Sequence, residues 1–299
     1  MGKIFDYHDI LDNRVPQPED FSKAKEELRE LMVAKALGGE IFGGMVYGSV
    51  AKGTPGPRSD FDFVLIHDTE EQYRNVLPRI EAIGRKNKIN IETLAILTSF
   101  ASRGMHTIDP QFFLHLNGVD GQENIFGRNP LSVLTPVSQE YVAVHDRYMA
   151  KKYDRLKVGL GSKEPLDRRR VLQRALESPI AVGRRTLQTL DSMGYQNEIP
   201  TDDSKAQVEE KFKHMFDGFG IDKQFAKLIT YDRAYSQLLE DAIEGGIGEQ
   251  EYNEGVSQLF SEALPLSIEF TGNTYRLFRR IAEHQKTIEG QLGRTAERL

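Results

Sequence analysis

The chain of 299 residues contains no cysteine. Disulfides, thiolate metal sites and cysteine nucleophiles are therefore excluded, and a reducing compartment is favoured. The sequence also has no apolar run near the roughly 18 residues that a membrane-spanning helix needs. Its first residues carry no apolar signal-peptide core. We therefore expect a cytoplasmic protein with no membrane partner.

The remaining composition is ordinary for a soluble globular protein, with 39% hydrophobic and 28% charged residues. At about 150 residues per domain, the length favours two domains. The net charge of −6 argues against general attraction of nucleic acid. Residues 147–185 differ, because twelve Lys and Arg face four Asp and Glu, a local charge of +8. This basic segment indicates either solvated helix faces or a surface for polyphosphate or RNA.

Strand patterns are confined to the first part of the chain. Apolar spacing and Gly/Pro breaks predict helices at 18–37 and 70–86 and a loop at 48–59. The predicted strands are 41–47, 61–66, 89–97 and 125–128. After about residue 136 the pattern becomes helical, with Ser178-Pro179 predicted to start a new helix. The predicted helices are 138–157, 166–177, 178–194, 203–217, 222–244, 249–263 and 267–290.

These patterns predict an α+β fold with two domains. A small domain with a mixed sheet is expected over residues 1–136, and a helical domain is expected over residues 137–299. The helical domain is expected to bind substrate.

Two carboxylates stand out on the second predicted strand. Asp60 and Asp62 are two residues apart, with Phe61 and Phe63 in the alternate positions. On a strand this spacing places both carboxylates on one face and both rings on the other. A hard divalent cation can offset the repulsion between the carboxylates, and Mg²⁺ usually takes one or two carboxylates plus substrate phosphates.

A glycine-containing turn precedes this strand. Gly48-Ser49 follows a predicted strand, so backbone N–H groups and the Ser49 hydroxyl can bind phosphate. Lys52 and Arg58 add positive charge nearby. The turn is not a P-loop, because Thr54 stands where a lysine is required. A phosphate-binding turn followed by paired metal ligands is what phosphoryl transfer with two metal ions needs.

A third carboxylate is expected to complete such a site. Glu92 lies on the next predicted strand, about thirty residues downstream, and is the first choice. Asp109 and Glu123 are the alternatives.

The turn and the strand together form the string Gly48-Ser49…Gly53…Ser59-Asp60-Phe61-Asp62. This string resembles the G-S-x-x-x-G…S-D-x-D signature of DNA polymerase beta-like nucleotidyltransferases. Ile125-Phe126-Gly127-Arg128-Asn129 is similar to a segment that follows the third acid in many members of that family. The resemblance covers roughly residues 40–130, although most members carry aspartate at the position of Glu92.

The resemblance implies transfer of a nucleoside monophosphate from an NTP, with ATP expected, to an acceptor hydroxyl. It implies two Mg²⁺ ions, with Mn²⁺ as the alternative, and places the metal ligands and catalytic acids at Asp60, Asp62 and Glu92. Nucleotide contacts are expected from Gly48, Ser49, Lys52, Ser59, Lys151 and Arg155.

Several functions are compatible with this chemistry. The first is modification of a small molecule such as an antibiotic, which suits the acidic net charge. The second is nucleotidylation of tRNA or a protein by a toxin or defence enzyme, which the basic segment favours. A second-messenger synthase and a catalytically inactive binding module are further alternatives. The sequence leaves the oligomeric state open.

Two other patterns carry less weight. Arg279 and His284 have the R-x-x-x-x-H spacing of HEPN ribonucleases, but the spacing of two common residues is weak evidence, and an exposed basic turn of the last long helix is the favoured interpretation. The seven histidines show no metal-ligand spacing, which argues against a zinc site.

Overall fold

The computed structural model describes residues 3–38, 43–101, 123–127, 141–161, 165–193 and 205–296. The chain divides into two compact units, of which the first comprises Met1–Gln139, Thr201–Asp203 and Asp241–Glu249. The second comprises Glu140–Pro200, Ser204–Glu240 and Gln250–Leu299. The domain boundary predicted between residues 136 and 137 lies outside the described residues and stays a prediction.

The first unit is built on a four-stranded mixed sheet in the order β3-β2-β1-β4. Strand β1 runs antiparallel to both β2 and β4, whereas β2 and β3 are parallel. The α+β class and the mixed sheet predicted from the sequence are confirmed. The elements of this unit are α1 (Tyr7–Leu11), α2 (Pro18–Leu37), β1 (Gly43–Tyr47), β2 (Phe61–His67), α3 (Glu70–Lys86), β3 (Ile91–Leu97), α4 (Thr98–Ala101) and β4 (Glu123–Gly127).

Helix α2 covers one face of this sheet. Its buried residues recur at helical spacing, and they share a hydrophobic core with the alternate residues of β2. Burial of each large apolar side chain contributes about 1.5–3 kcal/mol to folding. The face of β2 that carries the two rings is thereby fixed against α2. The core residues concerned are Phe21, Ala24, Leu28 and Met32 of α2, and Phe61, Phe63 and Leu65 of β2.

Strand β3 begins at Ile91 and not at residue 89 as predicted. The cause is the end of α3, where the Ile89 amide donates to the Gly84 carbonyl oxygen at 2.9 Å. Lys88 has a φ of +60° and its amide donates to Arg85. These bonds form a Schellman turn, so Ile89 completes the helix end before the strand starts.

All the regular secondary structure in the described residues of the second unit is helical. Its helices are α5 (Tyr141–Gly159), α6 (Pro165–Ser192), α7 (Lys205–Met215), α8 (Ile221–Ile243) and α9 (Glu249–Ala296). The last residues of α8 and the first of α9 belong to the first unit. Phe212, Phe225 and Phe270 meet in its core, with ring centroids 4.6–5.6 Å apart. No helix in the described part of the chain combines the length and apolar content that a membrane crossing requires.

Two predicted helix breaks in this unit are wrong. Pro179 lies inside α6 and Pro265 lies inside α9, each of which continues without interruption. An internal proline costs about 3 kcal/mol relative to alanine. Its neighbours offset this cost, because Ser178, Ile180 and Leu264 are buried in the unit. The helix predicted over 222–244 ends within one residue of its predicted end, since the φ of +74° at Gly245 and the bond from the Gly246 amide to the Asp241 oxygen end α8.

Candidate active site

Strand β2 places the paired acids as the sequence predicts. Phe61 and Phe63 are fully buried on one face, while Asp62 lies on the other face and is partly exposed. Asp60 immediately precedes the strand and keeps 9% of its surface exposed. The following residues on the Asp62 face, Val64 and Ile66, are buried. Asp62 therefore stands at the accessible end of an otherwise covered strand face.

Glu92 lies directly beside Asp62. In the parallel pairing of β2 and β3, Asp62 is in register with Glu92. Residues in register on neighbouring strands point to the same face of the sheet. Both side chains are partly exposed. The structure thus brings together two of the three acids selected from the sequence.

The Gly48 turn packs against the same carboxylate. Gly48 has a φ of +74°, and a β-carbon at this position would lie 2.7 Å from Asp62 Oδ2. A side chain here would be strained by the positive φ and would require the Asp62 carboxylate to shift. The turn is closed by bonds from the Lys52 amide to the Gly48 oxygen at 3.1 Å and from the Thr54 amide to the Ser49 oxygen at 2.9 Å. Ser49 and Lys52 are partly exposed on it.

The second part of the loop is held by Ser59. Its hydroxyl oxygen accepts a bond from the Gly56 amide at 2.9 Å, and its own amide donates to the Gly56 oxygen at 2.9 Å. Arg58 is buried, and its carbonyl oxygen accepts a bond from the Lys3 amide. Ser59 therefore shapes the approach to Asp60. Its predicted contact with a nucleotide stays a prediction.

Tyr47 also belongs to this site, although it was not predicted from the sequence. It is the last residue of β1 and is in register with Asp62. Burial raises the pKa of its hydroxyl well above the usual range, and the charges of Asp62 and Glu92 raise it further. Tyr47, Asp62 and Glu92 thus form a row across three neighbouring strands. Alternation along β1 could have revealed Tyr47, but only once the cross-strand register was known.

The donor chemistry of this row suits a hard cation. Carboxylate oxygens of Asp62 and Glu92 lie on one face, with Asp60 two residues before Asp62. Among the described residues, no group of three His, Asp or Glu side chains converges closely enough to hold a metal ion. Mg²⁺ needs only one or two protein carboxylates when substrate phosphates and water complete its shell. The residues present therefore fit Mg²⁺ bound together with a nucleotide.

The remaining predicted residues lie elsewhere. Lys151 and Arg155 are exposed on α5, in the second unit, and their contact with a nucleotide stays a prediction. Asp109 is outside the described residues, and Glu123 is described only by its backbone, which pairs with Val46.

Arg279, the first residue of the R-x-x-x-x-H pair, takes part in ion pairs. Arg279 forms an ion pair with Asp146 at 3.7 Å and a weaker one with Glu283 at 3.9 Å.

Comparison with known protein families agrees with the resemblance found in the sequence of the first unit. The family model described as "Nucleotidyltransferase domain" matches residues 23–103, a range that includes the Gly48 turn, Asp60, Asp62 and Glu92. The resemblance to this superfamily stated from the sequence is thereby confirmed. A search of curated proteins found no match.

Solved structures include one of spectinomycin adenyltransferase from Enterococcus faecialis with ATP and spectinomycin. It is 13% identical to this chain and superposes with a TM-score of 0.46, covering 86% of this chain and 98% of its own. A likeness of this size identifies no acceptor for this chain.

Proposed function

The chain carries a nucleotidyltransferase domain at residues 23–103, and we propose that it transfers a nucleoside monophosphate from an NTP to an acceptor hydroxyl. The single observation that carries this proposal is the contact between the Gly48 turn and Asp62, with Glu92 in register beside it. A phosphate held by the turn would lie next to the carboxylates, which is the arrangement that phosphoryl transfer requires.

Each residue has a role in the proposed reaction. The backbone N–H groups and hydroxyl of Ser49 bind phosphate oxygens of the NTP, and Lys52 adds a charge-assisted contact. Glu92 accepts the proton of the acceptor hydroxyl. The acceptor oxygen then forms a bond to the α-phosphorus as the bond from that phosphorus to its bridging oxygen breaks. Pyrophosphate leaves with the bonding electrons.

Asp60 and Asp62 would hold Mg²⁺ in this proposal. When bound, the ion polarises phosphoryl oxygens and neutralises charge that develops on the leaving group. The role of the protein is to fix these two carboxylates. Burial of Phe61 and Phe63 achieves this, because it locks the rotation of β2 about its axis.

ATP is the proposed donor, and two classes of acceptor suit the proposed reaction, of which the first is a small molecule such as an antibiotic. The net charge of −6 supports a small acceptor over wholesale binding of nucleic acid. An RNA or protein acceptor is the second candidate, favoured by the charge of +8 over residues 147–185. The absence of cysteine supports the cytoplasm as the compartment.

The test is transfer of label from an NTP. The chain is incubated with each of the four NTPs, labelled at the α-phosphate, with Mg²⁺ and panels of small molecules and RNA. Pyrophosphate release and the mass of each acceptor are measured. We expect one acceptor to gain the mass of a nucleoside monophosphate with the parent chain and not with Asp62→Asn. Equal pyrophosphate release by both proteins would overturn the proposal.

A further inference from the structure

Four basic side chains and one acid collect where α5 and α6 face each other in the second unit. On α5, Lys152 and Arg155 follow Tyr148 at spacings of four and three, which places all three on one helix face. Helix α6 contributes Arg174, Glu177 and Arg185. We call Lys152, Arg155, Arg174, Glu177 and Arg185, with Tyr148, the α5–α6 cluster.

The ring of Tyr148 links the two helices. The Arg185 guanidinium carbon lies 4.0 Å from the ring centroid, and Lys152 Nζ lies 5.3 Å from it. Both distances are within the range of cation–π interactions. Tyr148 therefore holds two cations of the cluster in place, and a ring engaged in this way is a poor platform for stacking a nucleobase.

The cluster carries a marked excess of positive charge. Burial lowers the pKa of Lys152, and Arg155, Arg185 and Arg174 lower it further, while only Glu177 acts in the opposite direction. Four cations against one carboxylate give the cluster a charge of +3. An anion bound beside Lys152 and Arg185, the two partly buried cations, would relieve the repulsion between them. Lys152 and Arg185 are only partly exposed, which distinguishes them from a fully solvated helix face.

The length of the cluster indicates the kind of anion. Arg174 and Arg185 are eleven residues apart on α6, a distance of roughly 16 Å at 1.5 Å per residue. This exceeds what one phosphate group can contact. One guanidinium group can bind two oxygens of a phosphate at once, and such contacts do not depend on base identity. The chemistry therefore suits a chain of phosphates.

We propose that the α5–α6 cluster binds the phosphodiester backbone of an RNA acceptor. This inference rests on the proposed function and assigns its acceptor to the second candidate class. The cluster contacts phosphates and leaves base selection to other parts of the chain.

The test measures binding of a short fluorescent RNA oligonucleotide to the full chain between about 50 and 200 mM salt. The variant Arg155→Gln/Arg174→Gln removes two exposed cations. Its control, Lys213→Gln/Lys223→Gln, removes the same charge from exposed positions on α7 and α8. Each lost phosphate contact should reduce the slope of log affinity against log salt by about 0.7, so the double variant should lose about 1.4. Glu177→Gln should tighten binding.

Three outcomes would overturn the inference. One is an equal loss of RNA affinity in the control. The second is RNA affinity unchanged in all variants. The third is a loss of NTP affinity in the cluster variant while RNA affinity stays the same, which would assign the cluster to the nucleotide.

Failure of the proposed function gives a different result. In that case the chain would bind RNA with the expected salt dependence, but no nucleotide would be transferred to any acceptor.

Discussion

A β-carbon on Gly48 would lie 2.7 Å from the Oδ2 atom of Asp62. Two segments separated in sequence by the loop 49–61 thus share one contact. The Gly48 turn and strand β2 are therefore closely packed at this point.

We expect Gly48→Ala to damage both the fold and the site. The positive φ alone should cost about 1–2 kcal/mol in free energy of unfolding. Gly245→Ala is a matched control, because Gly245 has the same φ of +74° but nothing within 4 Å of an added β-carbon. Urea unfolding should show a similar backbone cost in both variants. Only Gly48→Ala should lose NTP affinity, and equal NTP affinity in the two variants would contradict the contact.

Asp62→Asn should abolish transfer without unfolding the chain. Loss of a metal-binding carboxylate removes several kcal/mol of transition-state stabilisation, which corresponds to at least about a thousandfold in turnover. Asp60→Asn should behave alike. Relief of repulsion with Glu92 should leave the melting temperature of Asp62→Asn unchanged or raised. Turnover at saturating Mg²⁺ is the measurement, and near-normal turnover in either variant would refute the assignment.

Glu92→Gln tests the third acid. Removal of a general base lowers kcat by about 10²–10⁴-fold, whereas the KM for NTP should change little. The variant keeps the size of the side chain, so the register with Asp62 should survive. A normal kcat in Glu92→Gln would indicate that Asp109 or Glu123, and not Glu92, is the general base.

Ser49→Ala tests the turn as the phosphate site. Removal of one hydrogen bond to a charged group should weaken NTP binding by about 1.5–3 kcal/mol. Thr54→Ala is a control on the exposed side of the same loop. Calorimetric titration with a non-hydrolysable NTP measures both. Identical affinities in the parent chain and Ser49→Ala would move the phosphate site elsewhere.

His145 should make the second unit sensitive to acid. Burial lowers the pKa of His145 to about 3, and Arg185 acts in the same direction. The imidazole packs edge-on against Phe278 and lies 2.9 Å from the Thr186 hydroxyl through Nε2. The pKa of histidine in the unfolded chain is near 6.5. The contribution of neutral His145 to the free energy of unfolding is therefore complete above about pH 6.5 and is lost as the pH falls towards 3.

At pH 5 this linkage amounts to about 2 kcal/mol. Urea unfolding of the parent chain and of His145→Gln at pH 7.5 and pH 5 measures it. The parent should lose about 2 kcal/mol more than the variant on acidification. The same loss in both proteins would show that His145 does not cause the sensitivity.

Local signals predicted much of the first unit. The bounds of α2 and α3 agree with the structure, because Pro18 and Thr69 fix their starts and apolar spacing fixes their buried faces. Asp62 was found because period-two alternation depends only on neighbours along the chain. Tyr47 was missed because its importance comes from pairing with another strand.

In the second unit, the sequence predicted less of the structure. Ser178-Pro179 has the composition of a helix start, yet α6 continues through it because burial on both sides outweighs the propensity. On α5, the sequence predicted nucleotide contacts from Lys151 and Arg155. The structure instead centres the charge on Lys152, which the packing of α6 places beside three arginines. Both differences depend on contacts between helices, which spacing along one helix cannot supply.

The Asp241–Glu249 segment of the first unit has a consequence for biosynthesis. Tyr7 Oη donates to the Ile247 carbonyl oxygen at 3.2 Å, and His8 approaches Glu249 at 3.7 Å. Tyr7 and His8 are therefore synthesised some 240 residues before the partners that they contact. Domains usually fold one after another during translation, but here the first unit is not complete until most of the second unit has been translated. A fragment ending at residue 139 would lack these partners, so we expect it to fold less well than the whole chain.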